Sequence, residues 1–262
     1  MTTIETSPDD AGEDAGDGNE NAGETGVVTL PGPERSGHAW PFTVEPGSIV
    51  VFSDLSCAFA HLCVHRLIEA RRRADVDVRF VHRHFILEEV NEFPIPKHYL
   101  ESEIPQIAPL DMDAGWAVWH QPAETWPVST LLAMEAVRAA EEQGPTAHEQ
   151  LDRALRLAFF RDHRCITMRH VIVQVAVGCP DVDEDVLAAA LDSGRHRAAL
   201  MGDHASSLDV VQGSPHLFFA DGTDVHNPGI ELSWLGTQGS GYPRIDSFDE
   251  SIHDELIRRA VV

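Results

Sequence analysis

In Asp54-Leu55-Ser56-Cys57-Ala58-Phe59-Ala60-His61, a cysteine stands three residues before an alanine. A thiol reacts as its thiolate, and a cysteine at the first turn of a helix faces unpaired N–H groups that favour negative charge. Such positions lower the ordinary cysteine pKa of about 8.5 by one or more units, so Cys57 is expected to be substantially ionised at neutral pH. In a Cys-x-x-Cys pair the second thiol resolves the mixed disulfide that the first one forms, but Ala60 occupies that place. What remains is nucleophilic attack without self-resolution. His61 and His65 follow four and eight residues on, at helical spacing from Cys57, and a protonated His61 would favour the thiolate further. Cys63 cannot act as the resolving thiol: six residues along a helix give about 9 Å of rise and roughly 240° of rotation, whereas a disulfide needs Cα atoms within about 7 Å. It reads as a core residue. His61 and His65 also have the spacing of a metal clasp, but no Glu at the needed spacing and no third ligand accompany them, so no metal is expected.

The elements that position Cys57 follow from periodicity. Ile49 to Phe52 form a short apolar run bounded by Gly47 and Asp54, a buried strand. Residues 57–73 carry Leu62, Leu67, Ile68 and Ala70 at helical spacing and end in Arg71-Arg72-Arg73, where cations suit the helix dipole. Val76, Val78 and Phe80 then alternate with polar residues as in a strand. In this βαβ unit the two strands run parallel, so His82 and His84 end at the edge where the helix begins and where open α/β sheets bind ligands. Both histidines, and His216 later in the chain, are candidates to approach Cys57.

From Phe93 to Pro127 six prolines predict short, broken pieces. Trp116, Trp119 and Trp126 in this stretch either overhang a cleft as an apolar wall or anchor the irregular connection. Helices are expected over 128–143, from a capping box at Thr146–Glu149, from Met168 to Gly178, over 183–191 and over 195–207. Strand character returns at Leu217 to Ala220 before the Asp221-Gly222 turn signal. A Gly-rich stretch, 229–241, leads to a last helix over 248–259. The class is therefore α/β, with strands at both ends and helices inserted between them.

Three features carry a family resemblance: strand-Asp54-x-x-Cys57-x-x-Ala60 opening a helix, a helical insertion of about 100 residues, and Val211-Gln212-Gly213-Ser214-Pro215 immediately before a strand. The chain resembles the DsbA-type thioredoxin-like superfamily. That group includes FrnE-like dithiol-disulfide isomerase relatives and, more distantly, hydroxychromene-carboxylate isomerases and kappa-class glutathione transferases. The resemblance covers residues 48–262 and implies a thioredoxin-like fold with an inserted all-helical domain. An acidic disordered tail takes 1–46, the thioredoxin-like domain 47–92 and 209–262, and the helical domain 93–208. It implies Cys57 as nucleophile and Pro215 as a cis proline facing it; Ser214, beside that proline, and His61, from its spacing, complete the candidate catalytic set. Phe59, His216, His84 and Trp119 are the candidate substrate-binding residues. Ala60, and Ala58-Phe59 in place of the usual proline-aromatic pair, depart from the dithiol pattern.

Charge narrows the function classes. The chain has 262 residues, 43 % of them hydrophobic, and a formal charge of −24. Nine acidic and no basic residues fall within 1–34, a segment too poor in apolar side chains to offset its ordering entropy. The remainder still holds 34 acidic against 19 basic residues, which disfavours nucleic acid and anionic membranes as partners. With no signal-like start and no long apolar run, a cytoplasmic protein with four free thiols is expected. The leading expectation is a thiol-disulfide oxidoreductase with one nucleophilic cysteine, acting on a thiol or disulfide substrate. It holds no tightly bound cofactor, and an external, low-molecular-weight thiol serves as cosubstrate and resolves the adduct. The alternatives are a non-redox isomerase or glutathione-transferase-kappa-like enzyme, in which residue 57 orients a cosubstrate thiol, and a non-catalytic thioredoxin-fold binding protein.

Overall fold

The structure, a computed structural model, describes residues 39–236 and 242–261. The acidic segment 1–34 lies outside the described residues. Strand β1 (Ser48–Ser53) is buried along its whole length, as its apolar run requires. Helix α1 (Ala58–Ala74) follows and ends at Asp75 in the left-handed region, after three arginines. Strand β2 (Arg79–His84) pairs parallel with β1, from Ser48 opposite Arg79 to Ser53 opposite His84. At the other end of the chain, β3 (His216–Phe219) pairs antiparallel with β1, and β4 (Asp224–His226) with β3, giving the order β2-β1-β3-β4. This is an α/β thioredoxin-like sheet with helices inserted between its halves.

The period of two decides the faces of β1. Ile49 and Val51 join α1 and the C-terminal helix α9 (Ile252–Val261) in one core, through Leu67, Leu256 and Ile257. Val50 and Phe52 join Phe218 on the other face, where Trp40 and Phe42 cover them. The expected boundary of the tail at residue 46 is thus corrected: residues 40–44 pack on the sheet, because two aromatic rings bury enough apolar area to hold a short segment.

Between β2 and β3 lie α2 (Leu87–Asn91), α3 (Lys97–Ile107), α4 (Leu131–Ala140), α5 (Pro145–Phe160), α6 (Arg169–Ala176), α7 (Glu184–Ser193) and α8 (Arg197–Ser207). Their core includes Met134, Leu151, Leu155 and Phe159, and it continues into Leu55, Ala58 and Leu62 at the start of α1. The helical block therefore grips the very turn that carries Cys57. The capping box expected at Thr146 does not form. Helix α5 starts one residue earlier, at Pro145, and the Glu149 carboxylate instead accepts the Phe80 N–H at 2.8 Å and pairs with Arg71 at 2.8 Å, tying α5 to β2.

Two elements were hidden by breaker residues. Helix α3 forms in the proline-rich stretch, with Pro96 just before its first residue and Pro105 in its last turn. Strands β5 (Ile230–Leu235) and β6 (Tyr242–Phe248) form an antiparallel hairpin across the Gly-rich stretch, so Phe248 ends a strand and the last helix starts later, at Ile252.

Candidate active site

Cys57 is the N-cap residue of α1, with extended backbone (φ −74°, ψ 118°). Cys57 is 9 % exposed, and its thiol donates to the Ser214 carbonyl at 3.1 Å. The Ser214–Pro215 peptide bond is cis. The Ser214 hydroxyl oxygen accepts the Asp54 N–H at 2.9 Å, which leaves its own proton to be given to the sulfur. Gly213 permits this loop to sit close: a Cβ there would meet His226 Nε2 at 2.6 Å.

The turn before Cys57 is fixed by buried charge. Asp54 Oδ1 accepts from the Ser56 N–H (2.8 Å), the Ser56 hydroxyl (2.7 Å) and the Thr130 hydroxyl (3.1 Å), and Oδ2 accepts the Leu87 N–H (3.0 Å). Arg156, fully buried, donates to the Asp54 carbonyl (3.0 Å) and to Ser53 Oγ (2.7 Å), and forms a two-point pair with Asp152 at 2.7 and 3.1 Å. Burial pushes the Asp152 carboxyl up, but the charge and hydrogen bonds of Arg156, with His82 and His84 beside it, together outweigh burial and hold the group well below the usual carboxylate range.

Beside Cys57 opens a cavity of about 580 Å³, lined among others by Phe59, Glu88, Tyr99, Glu103, Ser214 and Trp234. Tyr99 and Trp234 stack, with centroids 5.6 Å apart. Periodicity had not pointed to Tyr99, Glu103 or Trp234, since they lie on α3 and β5; a Tyr99-Leu100-x-x-Glu103-Ile104 helical pattern was the available signal.

Of the residues expected around the nucleophile, Phe59 and Ser214 line the cavity with Cys57, and Pro215 is joined to Ser214 by the cis bond. The other five are elsewhere, His82 among them: it is buried against His148, with its Nδ1 3.6 Å from Asp152. His61 is fully buried between Phe160 and Trp116, and its Nε2–H donates to the Ala114 carbonyl at 2.9 Å. Burial, with Arg153 and Arg156 nearby, pushes its pKa well below the ordinary value, so the protonated partner expected for Cys57 is corrected to a neutral core histidine. Cys57, as the N-cap residue, has extended backbone outside the helix, so its side chain does not share a helical face with His61. His216 faces away: its Nδ1 accepts the Gln212 N–H at 3.1 Å and its Nε2 contacts Asp224 at 2.9 Å, bracing the 212–216 loop from behind. His84 is buried outside the cavity, with no hydrogen-bond partner among the described residues. Trp119 packs on Trp126 and Phe159 around a separate apolar cavity of about 140 Å³.

The thiol itself is not ionised at neutral pH. Burial pushes the Cys57 pKa up to about 11; the Glu103 and Asp54 charges add to the rise, and the Ser214 hydroxyl and Ala60 N–H oppose it. Alkylation of Cys57 is therefore expected to accelerate up to a midpoint near 11. Glu103→Gln, by removing one repelling charge, is expected to raise the rate at pH 8 about 3- to 10-fold. A midpoint below 8.5 in rate-against-pH curves would refute this account of the thiol. Cys63 is also buried, with its pKa raised to about 12, in the core on the sheet side. All four cysteines are free, and among the described residues no group of three or more His, Cys, Asp or Glu is placed to hold a metal.

The sequence model of the DSBA-like thioredoxin domain matches residues 48–252. The chain belongs to the DSBA-like thioredoxin domain family. The family's thiol chemistry needs no tightly bound cofactor. Among solved structures, this DSBA-like chain resembles the cytosolic disulfide reductase DsbM of Pseudomonas aeruginosa (TM-score 0.55, 14 % identity, covering 80 % of this chain and 95 % of that one). The same reductase has also been solved with GSH (TM-score 0.54, 12 % identity, 80 % and 95 % covered). A probable DsbA oxidoreductase from Streptomyces coelicolor gives a TM-score of 0.55 at 16 % identity, with 81 % and 89 % covered. A 2-hydroxychromene-2-carboxylate isomerase gives 0.51 at 12 % identity, with 67 % and 87 % covered. These likenesses show the shared fold. No curated protein matches the chain by sequence. Among the described residues, no helix is long and apolar enough to cross a membrane.

Proposed function

We propose that this protein is a thiol-disulfide exchange enzyme acting through Cys57 alone, in the cytoplasm, with an external thiol releasing the adduct. One observation carries the proposal: the Cys57 thiol lies in the wall of a cavity, held at the Ser214 carbonyl, while the place of a second thiol is filled by the buried Ala60. In the first step the Cys57 sulfur, its proton lost to solvent, attacks a disulfide R–S–S–R′. The Cys57–S–S–R bond forms, the S–S bond breaks, and R′S⁻ leaves and takes up a proton. In the second, a thiol R″SH attacks the R sulfur, forms R–S–S–R″ and returns Cys57 as a thiol. Each step makes one disulfide and breaks one. The Ser214-Pro215 backbone adjoins an extended substrate, and Phe59 packs beside it.

The raised pKa supports a reductive direction. A thiolate that its site does not stabilise gains more by entering a disulfide, so exchange lies toward the Cys57 adduct. The name of the Pseudomonas aeruginosa neighbour, a disulfide reductase, accords with that direction. Intact mass after exposure to 2-hydroxyethyl disulfide is expected to show one adduct, absent from Cys57→Ser and removed by added thiol. Unchanged adduct or turnover in Cys57→Ser rejects the proposal.

A second reading is favoured by the thiol's role as a hydrogen-bond donor to Ser214. A protonated Cys57 would orient a cosubstrate thiol, as in an isomerase or transferase of this fold. Calorimetric titration with glutathione separates the two, since tight binding without a covalent adduct belongs to the second.

A further inference from the structure

The cavity beside Cys57 is chemically one-sided. No Lys, Arg or His lines it among the described residues, whereas Glu88 and Glu103 both do. Glu103 is 5 % exposed; burial pushes its pKa up to about 7 and the Tyr99 hydroxyl lowers it only in part, so the carboxylate is largely charged at pH 8. Glu88 accepts the Ser129 hydroxyl at 2.7 Å, and burial pushes its pKa up, with Arg197 only a minor opposing charge. A second observation is independent of these carboxylates: the stacked rings of Tyr99 and Trp234 also line the cavity, and aromatic faces attract ammonium groups. Carboxylate and aromatic faces converging on one cleft suit a cation on a short apolar arm. A second carboxylate brought in by a substrate would meet like charge with nothing to pair it.

We infer that the Cys57 cavity selects its disulfide by charge, taking cationic aminoalkyl disulfides and turning away anionic ones, with Glu103 as the specificity-determining residue. The inference rests on the proposed exchange at Cys57. It places glutathione disulfide, whose carboxylates outnumber its ammonium groups, among the poor substrates. The exchange step is unchanged: the cationic R–S group is transferred to Cys57 and its thiol partner leaves.

The test is the rate of adduct formation on Cys57, followed by intact mass at pH 8, with three disulfides of similar size. These are cystamine (cationic), 2-hydroxyethyl disulfide (neutral) and 3,3′-dithiodipropionate (anionic). Each rate is divided by that of the same disulfide with a small reference thiol. Normalised rates are expected to fall in that order, with a spread on the order of 10-fold or more at low salt. Glu103→Gln is expected to collapse the spread and Glu103→Asp to keep it, both variants being checked for native circular dichroism. If Glu103→Gln does not fold, Glu88→Gln serves as the second variant and is expected to narrow the spread. Equal normalised rates, or a spread that a folded Glu103→Gln leaves intact, overturn the inference while leaving exchange in place. No adduct with any of the three overturns the exchange proposal, and this inference with it.

Discussion

Arg156→Met is expected to destabilise the protein by about 3–5 kcal/mol, the usual cost of removing one partner of a buried ion pair. Arg156 and Asp152 are both fully buried. Truncating the guanidinium leaves the Asp152 carboxylate in the core without its cation. It also strips the Asp54 carbonyl and Ser53 Oγ of their donor. For a domain of this size each kcal/mol moves Tm by roughly 2–4 °C, so thermal melts should drop by roughly 6–20 °C. The double variant Arg156→Met/Asp152→Leu should recover much of the loss, because a buried pair is often replaceable by apolar side chains of similar volume. A loss under about 1 kcal/mol in the single variant would mean that the pair is solvated after all. Since Arg156 anchors the turn that ends in Cys57, the single variant should also slow adduct formation, which the mass measurement reads directly.

That anchor shows where sequence reasoning stopped. The β1-α1-β2 unit was legible because each element carries its own local signal: the unbroken apolar run Ile49 to Phe52 in β1, Leu67 and Ala70 at helical spacing in α1, and the alternation around Val78 and Phe80 leading into β2. Cys57 could be placed at the start of α1 for the same reason. Its environment could not, because burial comes from α2, the 93–96 loop and α3, which close over it from a stretch that reads as proline-broken. Pro96 is compatible with a helix that begins after it, and Pro105 sits near the helix end, so neither prevented α3. The thiol pKa then moved opposite to expectation: desolvation by these elements outweighs the first-turn N–H. Likewise Trp119 and Trp234 have the same chemistry, but only Trp234 reaches the cavity, carried there by β5, which the glycines around it kept from reading as a strand.

Acidification is expected to destabilise the protein from about pH 6.5 downward, through histidines buried in the fold. His82 and His253 are 1 % and 2 % exposed, and burial pushes each pKa down to about 3; for His82 the Asp152 charge offsets this only in part. The unfolded chain holds these histidines near 6.5. Between the two values the unfolded state binds more protons than the folded one, so the stability present above pH 6.5 is lost as pH falls toward 3. Each group contributes a slope of about 1.4 kcal/mol per pH unit, so the pair removes about 4 kcal/mol by pH 5 and about 7 by pH 4. His61 and His84, both shifted well below 6.5, act with the same sign, while Glu103, its carboxyl raised to about 7, offsets one of the four between pH 7 and about 4.5. Total stabilities of about 5–15 kcal/mol leave little margin against such a loss. Asp152 adds to it only below about pH 4, where an unfolded carboxylate begins to protonate. Urea midpoints between pH 8 and 4.5 should therefore fall steeply below 6.5, and His253→Gln should remove about 1.4 kcal/mol per unit from the slope. A midpoint that stays level from pH 6.5 to 5 would place the acid transition on the carboxylates. The charge excess of the chain would then be its cause, not the protons that these buried imidazoles refuse.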